Sequence, residues 1–574
     1  MTKKFSKLSI VLALLGATTS LSYSATEAPV LSRTLTGALL SAQVAEGDND
    51  FAAMIAYYKQ ALGFEADNTR FEQNLMLGLI TNGQFTEALP YAEKLKTLPE
   101  IERVSRVALA IDAVDKKKWD DAETLLKLAQ QSDLDRLVAN LMTGWVKLGA
   151  GNGAEAASYV SKIQGPQWVD LFKLIHKALI LDASGDKVAA TAAYEEAVNN
   201  PDGGAAPDSW LRAVESYARF QARDGKKDAA LKIIDQGLEV APERPPLLAL
   251  RKIIEAGQPV EPLVADAKAG LAEVLFDIGA AVRRDGSESF STLYLQLSLA
   301  AKPDNDVTLI QLAGIAEGLN QQELAITNYR AVPETSPFKR AANLQMSLNL
   351  ADLDKTDEAV QQLNTLMAQD PSDPRTYTAL GGVYAAKKNF KSAAEVYDKA
   401  ILAIGTPDRN DWNLFYQRGI AHERTNSWSI AEESFRTALK LYPDQPQVLN
   451  YLGYSYVDKN SNLDEALGMI KKAVELRPDD GYIVDSLGWA YYRLGKFDDA
   501  VTELQKAISL RPEDATINDH LGDAYWRAGR KLEANFQWQH ALDAKSDDVD
   551  IVKIKAKMAN GKPLVAEANT DKKG

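Results

Sequence analysis

The chain has 574 residues, a formal net charge of −14 and no cysteine. This acidic balance disfavours nucleic acid as the main partner, because binding phosphates requires a basic surface. Without cysteine the sequence has no disulfide, no thiolate metal site and no lipid-bearing cysteine. Hydrophobic residues make up 46% of the chain, which is enough for a continuous core.

The first 25 residues have the pattern of a secretory signal peptide. Lys3, Lys4 and Lys7 precede an apolar run from Leu8 to Gly16, and small residues lead up to Ala25. The run is too short for an ordinary membrane-spanning helix. We therefore expect residues 1–25 to be removed on export to a Gram-negative periplasm, with outer-membrane association only through partners. The alternative is an uncleaved anchor or a buried first helix.

In residues 26–244 one small or apolar position recurs, mostly at steps of 34 residues. The series is Met54, Ala88, Ala122, Ala156, Ala190 and, after a longer step, Ala230. A period of this length is typical of stacked helical hairpins, in which one hairpin alone cannot bury its apolar face. The glycine- and proline-rich stretch 199–209 accounts for the longer step. These residues are predicted to form an N-terminal array of hairpins.

Residues 245–271 interrupt the pattern. Pro245, Pro246, Gly257 and Pro259 fall in a stretch too short for a complete hairpin. We interpret it as a short helix plus a connector, and as a candidate hinge between two arrays.

In residues 272–545 the same period resumes as a C-terminal array. The small position recurs as Ser291, Ala325, Ala359, Ala393, Ala431, Ala466, Ala500 and Ala534. Residues 546–561 are predicted to form a capping helix, and residues 562–574 a disordered tail. The prediction is an all-α fold, an α-solenoid of about 13–14 hairpins.

The pattern is sharpest between Asn450 and Leu542. Leucine and glycine occur together at 452–453, 487–488 and 521–522, and a tyrosine follows three residues after each glycine. Alanines in the following helix and a proline between units complete the pattern. These residues resemble the tetratricopeptide repeat (TPR) superfamily. The resemblance implies a right-handed superhelix whose inner face is lined mostly by the first helix of each hairpin.

The predicted partner-binding groove follows from that resemblance. The last units start at residues 412, 446, 481 and 515, and the family's inward places are then counted from each start. The resulting set is Asn450, Tyr454, Asp485, Trp489, Tyr492, Arg493, Asp519, Asp523, Trp526 and Arg527. Aromatics, arginine and short acids are typical of recognition surfaces. Asn450, Asp485 and Asp519 would form a ladder that pairs with backbone N–H groups or basic side chains.

Two alternatives stay open for this set. The tryptophans and Tyr492 could instead pack between neighbouring helices, and the arginines could pair with the aspartates. No catalytic motif is present, and the four histidines form no metal-ligand pattern. We expect no enzyme activity, no cofactor and no metal.

The export signal and the repeat array together resemble bacterial cell-envelope TPR proteins, including the lipoprotein adaptor of a carboxyl-terminal processing protease. This chain departs from that adaptor because it lacks the lipid-bearing cysteine. The resemblance implies a periplasmic scaffold that binds extended segments, or an envelope protease or hydrolase, in proteolysis or peptidoglycan remodelling. The alternative is a scaffold for polysaccharide assembly or export that contacts glycan; an enzyme with an unrecognised site is a third possibility.

Overall fold

The computed structural model describes residues 32–99, 101–129, 132–166, 168–200, 206–282, 287–546 and 549–560. The predicted signal peptide and tail lie outside the described residues. Two compact units divide between Glu358 and Ala359.

The described residues contain helices and turns but no strand. In the first unit the helices are α1 (Leu35–Gly47), α2 (Phe51–Phe64), α3 (Thr69–Thr81), α4 (Phe85–Leu95), α5 (Glu102–Asp115), α6 (Trp119–Lys127), α7 (Asp133–Gly149), α8 (Gly153–Ser161), α9 (Trp168–Ser184), α10 (Lys187–Val198), α11 (Pro207–Arg223), α12 (Lys227–Val240), α13 (Pro245–Glu255), α14 (Ala267–Ala281), α15 (Glu288–Ala301), α16 (Asp306–Gly318), α17 (Gln322–Ala331) and α18 (Lys339–Asp352). Helix α19 (Thr356–Gln369) contains the unit boundary.

The second unit continues with α20 (Pro374–Ala386), α21 (Phe390–Ile404), α22 (Trp412–Arg424), α23 (Trp428–Leu441), α24 (Pro446–Asp458), α25 (Leu463–Leu476), α26 (Gly481–Arg493), α27 (Phe497–Leu510), α28 (Ala515–Arg527), α29 (Lys531–Asp543) and α30 (Ile551–Asn560). A 3-10 turn at Arg409–Asp411 precedes α22. None of the helices described is both long and apolar enough to cross a bilayer.

Twenty-eight of these helices follow one another as first and second helices of hairpins, and α13 and α30 stand alone. The predicted recurrent position lies in the second helix of each hairpin. All its members are fully buried except Met54, which is 4% exposed. The predicted all-α fold of TPR-like hairpins, 14 in the described residues, is confirmed.

Glycines of the first helices explain how closely a hairpin packs. A Cβ atom at Gly488 would lie 2.5 Å from Cγ of Leu504, and one at Gly453 would lie 2.7 Å from Cγ1 of Ile470. Real Cβ contacts are not this short, so any larger residue would force the two helices apart. The 34-residue repeat therefore reflects a close contact between the first and second helices of a hairpin.

In the first unit, helix α14 packs against the first helices of several hairpins. It contacts α5, α7, α9 and α11, while α15 contacts α3 and α5. Helix α14 is apolar on nearly its whole circumference, and eleven of its residues are buried, as expected for a helix enclosed on all sides. The face formed by these first helices is therefore covered by the chain itself.

Buried charges fix the position of α14. The Arg212 guanidinium of α11 donates to both carboxylate oxygens of Glu273, at 2.8 and 2.7 Å. His176 of α9 lies 3.2 Å from Asp277 and accepts a hydrogen bond from the indole of Trp145 at 3.1 Å. Burial raises the pKa of Asp277, against the opposing effect of His176.

Residues 245–271, predicted as a short helix, a connector and a candidate hinge, contain α13 and the connection to α14; the hinge stays a prediction, and the two compact units divide after residue 358. Pro245 and Pro246 occupy the first positions of α13, where proline needs no hydrogen-bonded N–H. Gly257 follows with φ 67° and lets the chain turn back towards α14. The proline and glycine residues thus mark a return of the chain onto its own array.

Candidate functional site

In the second unit, first helices of successive hairpins contact one another. Helix α26 touches both α24 and α28, and α20 touches α22. Ten predicted site residues lie on α24, α26 and α28. We call the face formed by the inward places of α22, α24, α26 and α28 the C-terminal groove.

Asp485 is buried at the centre of this groove and bonds to a histidine. Nδ1 of His520 lies 3.0 Å from both of its carboxylate oxygens. Burial opposes the charged imidazole, but Asp485, with smaller effects of Asp519 and Asp523, raises the pKa of His520. The carboxylate that was predicted to meet a partner is therefore hydrogen-bonded to a side chain of the protein itself.

Trp489 is enclosed by two other rings. Its indole stacks on Tyr492 with centroids 4.7 Å apart and on His520 with centroids 4.1 Å apart. Stacked aromatic pairs of this kind contribute about 0.5–1.5 kcal/mol beyond their buried area. Burial and Asp523 raise the pKa of Tyr492 to about 12. The packing interpretation of Trp489 and Tyr492 thus has direct geometric support.

Asp519 and Asp523 share a lysine from α30. Nζ of Lys557 lies 2.8 Å from both oxygens of Asp519 and 2.9 Å from Oδ2 of Asp523. The other oxygen of Asp523 accepts a hydrogen bond from the Trp538 indole at 3.0 Å. Burial and Asp519 raise the pKa of Asp523 to about 6, with Lys557 acting in the opposite direction.

The two arginines do not pair with these aspartates. Arg493 lies 3.8 Å from the exposed carboxylate of Asp458 and donates to its backbone oxygen at 3.4 Å. Arg527 is exposed, and its guanidinium lies 4.3 Å from the Phe497 ring centroid. Both cations therefore remain at the surface of the groove.

The remaining predicted residues are partly exposed. Trp526 stacks on Trp538 at 5.6 Å. Burial, the largest effect, raises the pKa of Tyr454. The Oδ1 atom of Asn450 and the Nε1 atom of Trp489 are buried and have no hydrogen-bond partner in the described part of the chain. Both atoms are therefore inaccessible to a partner.

Two cations that decide the charge of the groove were absent from the predicted set. His520 was considered as one of four histidines without a metal-ligand pattern, and Lys557 lay within the predicted capping helix 546–561. Lys557 follows Asp523 by 34 residues, so the repeat period itself could have identified it. Helix α30 therefore lies one repeat period after α28, where the first helix of a further hairpin would begin.

The other histidines do not form a second site. His422 lies 3.0 Å from Asp398, which also accepts from Arg418 at 2.7 Å, and His540 is exposed. Within the described residues, no group of three His, Cys, Asp or Glu side chains could hold a metal ion.

Models of the TPR family match three stretches of the chain. The models, described as TPR repeat and tetratricopeptide repeat, match residues 344–410, 416–481 and 488–529. The C-terminal hairpins are tetratricopeptide repeats. These stretches include α24, α28 and part of α26, the helices that carry the ten predicted site residues, and TPR repeats indicate protein partners.

Curated relatives share the repeats only over part of their length. A TPR repeat-containing protein of Pseudomonas aeruginosa is 30% identical over 194 residues, which cover 33% of this chain and 32% of that protein. The general transcriptional corepressor of Schizosaccharomyces pombe is 28% identical over 144 residues, 25% of this chain and 13% of the corepressor. The match therefore spans at most about a third of the length of either relative.

Solved structures similar to this chain include other TPR proteins. YrrB, described as a TPR protein with an unusual peptide-binding site, is 22% identical, with 31% of this chain and 88% of YrrB covered and a TM-score of 0.27. A chain in the structure of the APC/C hetero-tetramer Cut9–Hcn1 is 13% identical. The match covers 93% of this chain and 97% of that chain, with a TM-score of 0.38.

Proposed function

We propose that the protein is a non-catalytic scaffold of a Gram-negative periplasm that binds protein partners in the C-terminal groove. The TPR repeats support protein binding, and the pattern of Lys3, Lys4, Lys7 and the apolar run supports export. Its resemblance to envelope TPR adaptors favours partners in envelope proteolysis or peptidoglycan remodelling, such as a protease, a hydrolase or their extended substrates.

The observation that carries this proposal is the contrast between the two first-helix faces. In the first unit that face holds α14 and α15. In the second unit the first helices pack against the second helices of their hairpins, α26 also touches α24 and α28, and Lys557 of α30 bonds to Asp519 on α28. The surface left for a partner is therefore the C-terminal groove.

The enclosed tryptophan argues against the polysaccharide alternative. A sugar ring stacks on an open aromatic face, whereas Tyr492 and His520 already cover the indole of Trp489. The groove instead presents partly exposed aromatics together with arginines, a combination suited to protein segments.

Site-specific photo-crosslinking in living cells tests the proposal. A photoreactive phenylalanine at Trp526, which is partly exposed in the groove, is expected to form discrete protein adducts. The control position is Leu402, which is 84% exposed on the second helix α21 of the same unit. Absence of adducts at 526, or the same adducts at both positions, would contradict binding through the groove.

A further inference from the structure

We infer that the C-terminal groove selects segments carrying two acidic side chains, which Arg493 and Arg527 hold. This inference rests on the proposed function and specifies the chemistry of the partner. It reverses the charge expected from the sequence, in which the aspartates were to meet basic side chains.

The aspartates of the groove already have cationic or hydrogen-bonding partners. Asp485 bonds to His520 at 3.0 Å, and Lys557 reaches Asp519 and Asp523 at 2.8 and 2.9 Å. Lysine from a partner would have to displace Lys557, whose side chain is only 8% exposed. These carboxylates therefore offer little attraction for an incoming cation.

Both arginines are accessible, and neither is held by a strong ion pair. The side chain of Arg493 is 25% exposed, and its contact with Asp458 at 3.8 Å involves a carboxylate that is 67% exposed. Exposed pairs of this kind contribute little to stability. No carboxylate of the described residues lies within ion-pair distance of Arg527, whose guanidinium rests against Phe497. A partner's carboxylate could thus replace a weak contact at one arginine and add a new one at the other.

The spacing of the two arginines determines how far apart the acidic residues of the bound segment must be. They occupy the same place on the successive first helices α26 and α28, 34 residues apart. Packed helices lie about 8–10 Å apart. A segment in the polyproline II conformation advances about 3.1 Å per residue with three residues per turn, so side chains three positions apart lie on the same side of it. Two acidic residues three positions apart therefore match the pair of guanidinium groups, each of which can bind a carboxylate through two hydrogen bonds.

The local charge also contrasts with the whole molecule. The chain is acidic, with a formal net charge of −14, so most of its surface repels an acidic segment. The arginine pair would attract such a segment to the groove, while the acidic surface elsewhere would repel it. Charge complementarity of this kind contributes more to specificity than to affinity.

Fluorescence anisotropy with the full chain and labelled peptides tests this inference. The probes are Gly/Ser peptides, blocked at both ends, with two Glu three positions apart, and matched peptides with Gln or Lys in their place. We expect the Glu peptide to bind about tenfold or more tightly than the Gln peptide, and binding to weaken with added salt. Equal binding of Glu and Gln peptides, or no binding up to about 1 mM, would overturn the inference.

Arginine variants provide the matched controls. R493Q/R527Q should lose about tenfold in affinity for the Glu peptide. R477Q/R511Q should bind normally, because Arg477 and Arg511 are exposed, also 34 residues apart, and lie at the ends of second helices. R493E/R527E should prefer the Lys peptide, and that gain shows that the variant is folded. Equal losses in both Gln variants, or no reversal in the Glu variant, would refute the assignment.

The two experiments separate the proposals. Adducts at position 526 with no preference for acidic peptides would preserve the groove as a docking surface and eliminate the arginine pair as its selector. A preference for acidic peptides that the R493Q/R527Q variant retains would place the acidic site outside the groove.

Discussion

Lys557 lies 2.8 Å from Asp519 and 2.9 Å from Asp523, and so ties α30 to the first helix of the last TPR hairpin. Apart from this lysine, α30 is held mainly by Ile554, which is 1% exposed, and by the partly buried Met558. Such a short helix with few buried contacts belongs to the least stable part of a fold.

Replacing Lys557 by methionine is therefore expected to release α30. The substitution leaves two neighbouring carboxylates without their cation, and breaking a buried pair in this way costs about 3–5 kcal/mol. Hydrogen–deuterium exchange should show loss of protection in α30 while α20–α25 remain protected. Lys555→Met, an exposed position on the same helix, is the control; equal exchange in both variants would show that the ion pairs do not hold α30.

The Asp485–His520 pair predicts a pH-dependent stability of the C-terminal repeats. Because the folded-state pKa of His520 is raised above 6.5, its contribution is complete below that pH and is lost as pH rises through the folded-state value. Urea unfolding followed by tryptophan fluorescence should show the wild type exceeding His520→Gln most at low pH, with a difference that shrinks towards alkaline pH. A constant difference would mean that the imidazole stays neutral.

Asp523 also makes the stability of the C-terminal repeats depend on pH, and like His520 it favours the folded state at lower pH. Its folded-state pKa of about 6 exceeds the ordinary 3.8, so protonation favours the folded state as pH falls through 6. The comparison between wild type and Asp523→Asn isolates this contribution, because asparagine does not titrate. The stability of the variant is expected to vary less between pH 4 and about 7.

Gly488 provides a test of the contact within a hairpin. Gly488→Leu is expected to destabilise the protein by roughly 1–3 kcal/mol through overpacking against Leu504. Gly468 lies in α25 with no atom within 4 Å of an added Cβ, so Gly468→Ala should be neutral or slightly stabilising. Thermal unfolding at the same temperature for Gly488→Leu and wild type would refute the contact.

The Arg212–Glu273 pair tests how α14 is held in the first unit. Both side chains are buried, at 8% and 4% exposure. Glu273→Ala should cost about 3 kcal/mol, because it leaves a buried guanidinium with weaker compensation. Lys268→Met removes a more exposed ion pair from the same helix, with Asp115, and should cost less than about 1 kcal/mol. Chemical unfolding distinguishes the two; similar losses would contradict a special role for the buried pair.

The sequence predicted the hairpins, whereas the contacts between the side chains of the groove are visible only in the tertiary structure. The recurrent alanines and the glycine at 488 record contacts between helices joined by a short turn, so one local pattern repeats along the chain. The same reasoning located the inward places but not their partners. It identified Asp485 and Asp519 as acidic recognition residues because nothing in a single repeat indicates that His520 and Lys557, from following helices, bond to them.

The sequence by itself thus determined the repeating unit, its length and the residues that let its two helices approach. Only the tertiary structure decided that α14 covers the first-helix face of the first unit, and that Asp485, Asp519 and Asp523 bond to His520 and Lys557. The physical reason is the separation along the sequence of the residues that are in contact. A hairpin closes within one period, whereas the Arg212–Glu273 pair joins residues 61 apart and Ser289 bonds to Asn49 across 240 residues.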